Sequence, residues 1–159
     1  MCYNNCKINY ISKIYYNQEK IREVLKKMDK SNIGIENTVL SKVNETNTAL
    51  SMGSGGLEVF ATPAVSALME KAAFELIQPY LDDGITTVGT MISLEHISAS
   101  PIGADITAKA VLTDIDGRKF CFDIFAYDNV GLIAQGKHER FSVKTESFMK
   151  KAYAKIRKE

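Results

Sequence analysis

The feature that most constrains this chain is a long apolar helix followed by a β-branched strand, between residues 60 and 98. Thr62 is predicted as the helix N-cap and Pro63 as the first helical residue, because both suit those positions. Apolar residues then recur at spacings of three and four, which predicts one buried stripe: Val65, Leu68, Met69, Ala72, Ala73, Leu76 and Ile77. A turn at 82–84 ends the helix.

Five β-strands are predicted around this helix. One precedes it, and four follow it, joined by tight turns such as Asp116-Gly117. The predicted strands are 36–50, 85–98, 104–114, 119–127 and 132–143. A basic helix is predicted over 145–158. This order indicates an α+β fold in which one antiparallel sheet of about five strands wraps around a long central helix.

One acid, Glu70, lies beside the buried stripe of the helix. Most helix glutamates are solvated, but other polar residues already supply the exposed face here. A half-buried carboxylate needs a partner, and His96, near the end of the strand 85–98, is a candidate. Gly89 interrupts that strand, and a strand glycine often marks a bulge or a close approach.

Composition excludes several classes of protein. With 159 residues one domain is expected, and a net charge of +1 argues against nucleic acid as a partner. No apolar run reaches the ~20 residues that cross a membrane, and the N-terminus lacks a secretory signal. We expect a cytoplasmic protein. Cys2 and Cys6 could pair or bind metal, but no second ligand cluster follows them, and Cys121 is predicted to be a buried thiol.

Residues 1–30 differ from the rest of the chain. They hold four of the seven tyrosines and seven Lys/Arg against three Asp/Glu. We expect an N-terminal extension that is either disordered or a mis-assigned start, with Met28 as the true first residue. The codons of 22–24 would then supply a ribosome-binding sequence. The main domain is predicted over 31–145, with a basic helix or tail over 146–159.

A glycine-rich loop, 51–56, precedes the helix. It lacks the Gly-Lys-Ser/Thr ending of a phosphate-binding P-loop, and no strong strand leads into it. It is interpreted as a flexible loop that can cover a ligand.

Several short segments together resemble hotdog-fold thioesterases, and most closely their fluoroacetyl-CoA thioesterase-like branch. The resemblance covers roughly residues 36–144 and is most specific in the joint spacing of Thr62, Glu70 and His96. The matching segments are Phe60-Ala61-Thr62-Pro63, Ala67-Leu68-Met69-Glu70, Thr87-Val88-Gly89-Thr90, His96, Ala99, Pro101-Ile102-Gly103 and Gly136-Lys137-His138-Glu139-Arg140.

The resemblance implies hydrolysis of an acyl-CoA thioester, with Thr62, Glu70 and His96 in the catalytic positions. It implies that Gly89, His96 and Arg140 line the substrate site, that no cofactor or metal is used, and that the protein is a homodimer or a dimer of dimers with sites at the subunit interface. Where the fluoroacetyl-specific pattern has an aromatic lid residue, this chain has glycines at 55–56. A small or short-chain acyl-CoA is therefore the expected substrate.

These residue types suit the chemistry. A helix N-terminus near Thr62 can stabilise an oxyanion. Glu70 can attack the carbonyl or activate water, and His96 can orient it or protonate the leaving thiolate. Arg140 can bind a CoA phosphate or form a surface ion pair. Thr62 and Glu70 lie about 12 Å apart along the helix, so a shared site needs a long reach or a second subunit.

Three alternatives stay open. Enoyl-thioester hydration or dehydration uses an acid and a histidine close together, but Glu95 and His96 would point to opposite faces of a strand. A non-enzymatic acyl-CoA binder would not need the acid at position 70. A structural domain with a satisfied Glu–His pair in its core is the third.

Overall fold

The computed structural model describes residues 28–156, so the extension predicted over 1–30 falls outside it except at 28–30. One short 3₁₀ helix, Lys30–Asn32, precedes the first strand, and a second, Gln78–Tyr80, directly follows the central helix. The strands and helices are β1 Glu36–Lys42, α1 Thr62–Ile77, β2 Ile85–His96, β3 Asp105–Asp116, β4 Lys119–Tyr127, β5 Leu132–Lys144 and α2 Thr145–Ala154. Within residues 28–156, no helix is long and apolar enough to cross a membrane.

The five strands form one antiparallel sheet in the order β1-β3-β4-β5-β2. Helix α1 packs on one face of it and buries the predicted stripe, of which only Leu68 is partly exposed. Alternating residues of β3 and β4 complete the core, for example Ala108, Leu112, Phe122 and Ile124. The predicted α+β fold, one sheet around one helix, is confirmed.

Strand β1 is shorter than predicted, since it ends at Lys42 rather than at residue 50. Asn44 accepts hydrogen bonds from the backbone N–H and the hydroxyl of Thr46, and Asn47 accepts one from the Asn44 N–H. Asparagine side chains that bond the backbone in this way form turns, which end a strand. The chain resumes pairing only at Thr48, which bridges Phe60.

The start of α1 also differs from the prediction. Ala61, with φ −72° and ψ 139°, is the N-cap residue, and no side chain caps the helix. Thr62 is the first helical residue, so the N-cap prediction for Thr62 is wrong. Its hydroxyl lies 2.9 Å from Nδ1 of His96 instead, and the tertiary contact replaces the local one.

Strand β2 contains the irregularity that Gly89 suggested. Gly89 pairs with Arg140 and Met91 with Glu139, so Thr90 is an extra residue in the strand. A β-bulge of this kind changes which side chains face which side of the sheet. As a result both Gly89 and His96, which an unbroken alternation would put on opposite faces, lie on the face that carries α1.

The C-terminal helix α2 ends at Ala154, before the predicted end at Lys158, and residues 157–159 lie outside the described part. None of its side chains is buried.

Candidate active site

The predicted site residues fall into two clusters along α1. Thr62 and His96 meet at the N-terminal end of the helix. Glu70 lies about 12 Å further along the helix axis, opposite Gly89 of β2 and His138 of β5. The two clusters therefore do not form one constellation within a single chain.

The first cluster borders a pocket of about 270 Å³. Its hydroxyl–imidazole contact, between Thr62 and His96, measures 2.9 Å, and Nε2 of His96 is buried with no hydrogen-bond partner among residues 28–156. Residues in and on either side of the glycine-rich loop, together with the segment after β2, complete the lining: Ala49, Ser54, Val59, Phe60, Ile97, Ser98 and Ala99. The pocket combines apolar walls with a hydroxyl and an imidazole at the start of a helix, which suits an acyl group with a polar carbonyl.

The second cluster is built around the carboxylate of Glu70, whose side chain is 40% exposed. Its Oε1 lies 3.6 Å from Nε2 of His138, longer than a hydrogen bond. The expected pairing of Glu70 with His96 is wrong within this chain, because His96 contacts Thr62. The histidine beside the acid comes from β5 instead.

Position 89 requires a glycine, because the side chains of Glu70 and His138 lie very close to its backbone. A Cβ added there would lie 2.7 Å from Oε1 of Glu70 and 3.2 Å from Cε1 of His138. Only glycine leaves room for the carboxylate to rest against the strand backbone. Gly89 thus contributes to the site by leaving space for the carboxylate of Glu70, beside which it lies.

Arg140 lies inside the protein and is 7% exposed, so the interpretation as a surface ion pair is wrong. Its Nε and Nη2 donate to the hydroxyl and the carbonyl of Thr87 at 2.8 and 2.9 Å, and Nη1 lies 3.1 Å from Nε2 of His138. The guanidinium also lies 5.5 Å from the ring centre of Phe74, in cation–π contact. Burial lowers the pKa of Arg140, while the negative charge of Glu70 raises it.

His138 belongs to this cluster, although we did not predict it as a site residue. Its side chain is fully buried, and its Nδ1 lies 2.7 Å from the carbonyl oxygen of Met91. The signal was present in the sequence, because residues two apart in a strand share a face. His138 and Arg140 are such a pair, and their face is the one that packs against α1.

The substitution Gly89→Ala should separate folding from activity. The shortest contact falls on the flexible end of Glu70 rather than on backbone, and the His138 ring at 3.2 Å has to give by only a few tenths of an ångström. The variant should therefore fold but displace the carboxylate. A shift of about 1 Å in a reacting group lowers kcat by roughly 10²-fold. Steady-state kinetics beside a thermal melt measure both effects, with Thr38→Ala, an exposed position on β1 at the other edge of the sheet, as the control. A wild-type kcat in Gly89→Ala would mean that Glu70 can work from another position.

A larger depression, of about 350 Å³, lies on the other face of the sheet around Ser93, Phe125 and Gly136. Its charged side chains already have partners, since Lys137 contacts Asp123 at 2.9 Å and Gln135 donates to Glu95 at 3.2 Å. It contains none of the predicted site residues.

The fold and site define a class of protein. A crystal structure of a hot-dog-like protein from Thermanaerovibrio acidaminovorans aligns with 80% of this chain and 94% of its own, with a TM-score of 0.73 and 22% identity. At that identity the likeness shows the fold alone, which is the hotdog fold.

The family is shown by closer relatives. The model of the FlK family, described as fluoroacetyl-CoA-specific thioesterase, matches residues 43–146. Fluoroacetyl-CoA thioesterase of Streptantibioticus cattleyicolor is 38% identical over 98 residues, which span 62% of this chain and 70% of the relative. A crystal structure of a FlK mutant in complex with acetyl-CoA aligns with 77% of this chain and 97% of its own, at 31% identity and a TM-score of 0.74. The chain belongs to the FlK family of fluoroacetyl-CoA-specific thioesterases.

Proposed function

We propose that this acyl-CoA thioesterase hydrolyses a small or short-chain acyl-CoA to the free acid and CoA, with Thr62, Glu70 and His96 as its catalytic residues. The observation that carries the proposal is the environment of Glu70. Its carboxylate is half exposed, rests against Gly89 and is not hydrogen-bonded to His138. Such a carboxylate is free to react with a thioester or with water.

The chemistry divides between the two clusters. Glu70 attacks the thioester carbonyl and forms a mixed anhydride that water then hydrolyses, or it takes a proton from an attacking water molecule. The first-turn amides of α1 stabilise the negative charge that develops on the carbonyl oxygen. The hydroxyl of Thr62 donates to Nδ1 of His96, so the ring carries its proton on Nε2 and gives it to the leaving thiolate.

The pocket favours a small acyl group. Its volume of about 270 Å³ is shared between the acyl group and the adjoining part of CoA. The FlK mutant structure with acetyl-CoA supports a substrate of this class. Glycines at 55–56 occupy the place where the fluoroacetyl-specific pattern has an aromatic lid residue, so we do not restrict the substrate to fluoroacetyl-CoA.

The test is thiol release from a panel of acyl-CoAs, from acetyl to medium chain, with an aryl and a halogenated member. We expect turnover to be fastest on the short members. Absence of turnover together with tight CoA binding by calorimetry would instead indicate a non-enzymatic binder. Absence of both would leave the fold as the one property shared with the relatives.

The hydratase alternative is not proposed, because Glu95 points away from His96. Glu95 accepts a hydrogen bond from Gln135 on the face of the sheet opposite α1, whereas His96 contacts Thr62 at the helix. The adjacent acid and histidine cannot act on one substrate. We place the protein in the cytoplasm, the reducing compartment that its cysteine content favours.

We also propose that the active protein is a homodimer, alone or as part of a dimer of dimers. Strand β2 is terminal in the sheet and is bonded to β5 on one side. It carries one acidic residue, Glu95, has no lysine or proline, and exposes Met91 and Ile92 by 38% each. Charged residues, especially lysine, and prolines usually protect the edge strands of natural sheets from pairing with another chain. An edge strand with a single charged carboxylate and exposed apolar side chains supports pairing with β2 of a second copy.

The predicted site suggests the register of that pairing. In an antiparallel pair around a two-fold axis, residues directly opposite each other face the same side of the sheet. If the axis passes through Ser93, and Thr90 is counted as the extra residue, Gly89 lies opposite the partner subunit's His96. Glu70 of one protomer would then meet the Thr62–His96 pair of its partner.

A cross-link at Ser93 tests this register. In a background with the native cysteines replaced by serine, Ser93→Cys should form a disulfide-linked dimer on mild oxidation. Paired Cα atoms of about 4.5–5.5 Å fall in the range that a disulfide needs. Glu95→Cys, on the same exposed face but off the axis, should stay unlinked on a non-reducing gel. The reverse result would move the axis away from Ser93.

A further inference from the structure

His138 makes contacts that the proposed chemistry does not use. It lies on β5 with no exposed side-chain surface, and its ring stacks on Phe122 at a centroid distance of 6.1 Å. It cannot touch solvent, but it lies between three features of the second cluster: the bulge of β2, Arg140 and Glu70.

The contacts of the ring determine its tautomer. Nδ1 lies 2.7 Å from the carbonyl oxygen of Met91, which can only accept, so Nδ1 carries the proton. Nε2 lies 3.1 Å from Nη1 of Arg140, which can only donate, so Nε2 carries a lone pair. Two contacts on opposite sides of the ring thus require the same neutral form. Burial lowers the pKa of His138, and the charge of Arg140 lowers it further.

The neutral ring leaves the carboxylate of Glu70 free. Oε1 of Glu70 lies 3.6 Å from Nε2 of His138, and an unprotonated Nε2 has no hydrogen to give it. A protonated ring would donate to Glu70 and would turn a second positive charge toward Arg140. The other charge that acts on the ring, Glu139, favours the protonated form, as does Glu70.

The ring also connects the bulge to the arginine. Met91 is the residue at which the register of β2 resumes after Gly89, and its carbonyl is held by His138. The same ring fixes Nη1 of Arg140, whose other donors hold Thr87 before the bulge. The strand segment against which Glu70 rests is therefore secured on both sides.

We propose that neutral His138 is a positioning residue for thioester hydrolysis. It fixes Arg140 and the bulge of β2, so that Gly89 and the free carboxylate of Glu70 keep their working geometry. The proposal rests on the proposed function, in which Glu70 performs the chemistry, and it adds a group that never touches the substrate.

Two variants with the same number of side-chain heavy atoms separate positioning from packing. His138→Asn retains an N–H that can reach the carbonyl of Met91, whereas His138→Leu fills the same space without polar atoms. We expect kcat to fall by roughly 10²-fold in His138→Leu, with KM little changed, and by less than about 10-fold in His138→Asn. A purely structural role predicts the opposite order, because leucine suits a buried site better than asparagine.

A second measurement needs no substrate. The chain has two histidines, so nitrogen-15 NMR of the imidazole rings can assign His138 by its loss in His138→Leu. We expect a neutral ring protonated at Nδ1 at pH 7. A ring protonated at Nε2, or at both nitrogens, would overturn the proposal.

The outcomes separate the two proposals. Wild-type turnover with an equal kcat in His138→Leu overturns the role of His138 and leaves the thioesterase intact. No turnover by the wild type on any panel member overturns the proposed function, and the tautomer still decides whether His138 holds Arg140 and the bulge.

Discussion

Glu70→Gln should lose at least roughly 10³-fold in kcat and keep its affinity for CoA. The amide has nearly the shape of the carboxylate, so the contacts with Gly89 and His138 persist. It can neither attack a thioester nor accept a proton from water. The free energy of unfolding should change little, because the side chain is 40% exposed and forms no hydrogen bond with His138. Thiol release and calorimetry with CoA measure the two effects separately.

Helix α1 supplies a matched control for this substitution. Glu75 lies five residues further along, is 44% exposed and faces Lys71 at 3.8 Å. Glu75→Gln removes the same charge from the same helix, away from the site, and an exposed ion pair contributes little to stability. It should therefore hydrolyse acyl-CoA at the wild-type rate. Glu70→Gln within 10-fold of the wild type would remove Glu70 from the mechanism.

The sequence was most informative where one periodicity dominates. The stripe of α1 repeats every three to four residues, and strands such as β4 alternate strictly, with Phe120, Phe122, Ile124 and Ala126 buried. Local patterns of this kind reflect burial on one face. They therefore predicted the helix, the strands and their single sheet, though not the length of β1, where asparagine side chains bond the backbone.

The arrangement of the site depends on two events that local patterns do not report. The bulge at Thr90 brings Gly89 and His96 to one face of the sheet, and a glycine in the sequence suggested a bulge without giving this consequence. Strand β5 pairs with β2, which brings His138 to Glu70. Strand order is a long-range property that local patterns do not give. His96, which is nearer to Glu70 in sequence than His138, was therefore expected beside the acid.

At Thr62, a long-range contact again prevails over a local preference, here the preference for capping the helix. Threonine followed by proline favours an N-cap, yet the hydroxyl of Thr62 contacts His96. The helix loses a cap, and the first cluster gains a defined imidazole orientation. Such a local departure from propensity is expected at a functional site.

Mixing two inactive variants should restore activity if the two clusters meet across the dimer. Glu70→Gln damages the second cluster, and His96→Ala damages the first. When their subunits combine at random, half of the dimers are mixed, and each has one intact site and one doubly damaged site. About a quarter of the wild-type kcat per protomer should return, from two almost inactive parents. Co-refolding followed by a thiol-release assay measures it.

The choice of partner variants determines what the recovery means. Glu70→Gln mixed with Gly89→Ala places both lesions in one cluster, so every site of a mixed dimer keeps one of them. That mixture should stay at the level of its parents. No recovery from Glu70→Gln with His96→Ala, in dimers shown by two affinity tags to be mixed, would mean that both clusters act on the substrate from one chain. The ~12 Å between Thr62 and Glu70 along α1 would then have to be spanned by the substrate itself. Recovery would assign Glu70 to one protomer and Thr62 with His96 to the other.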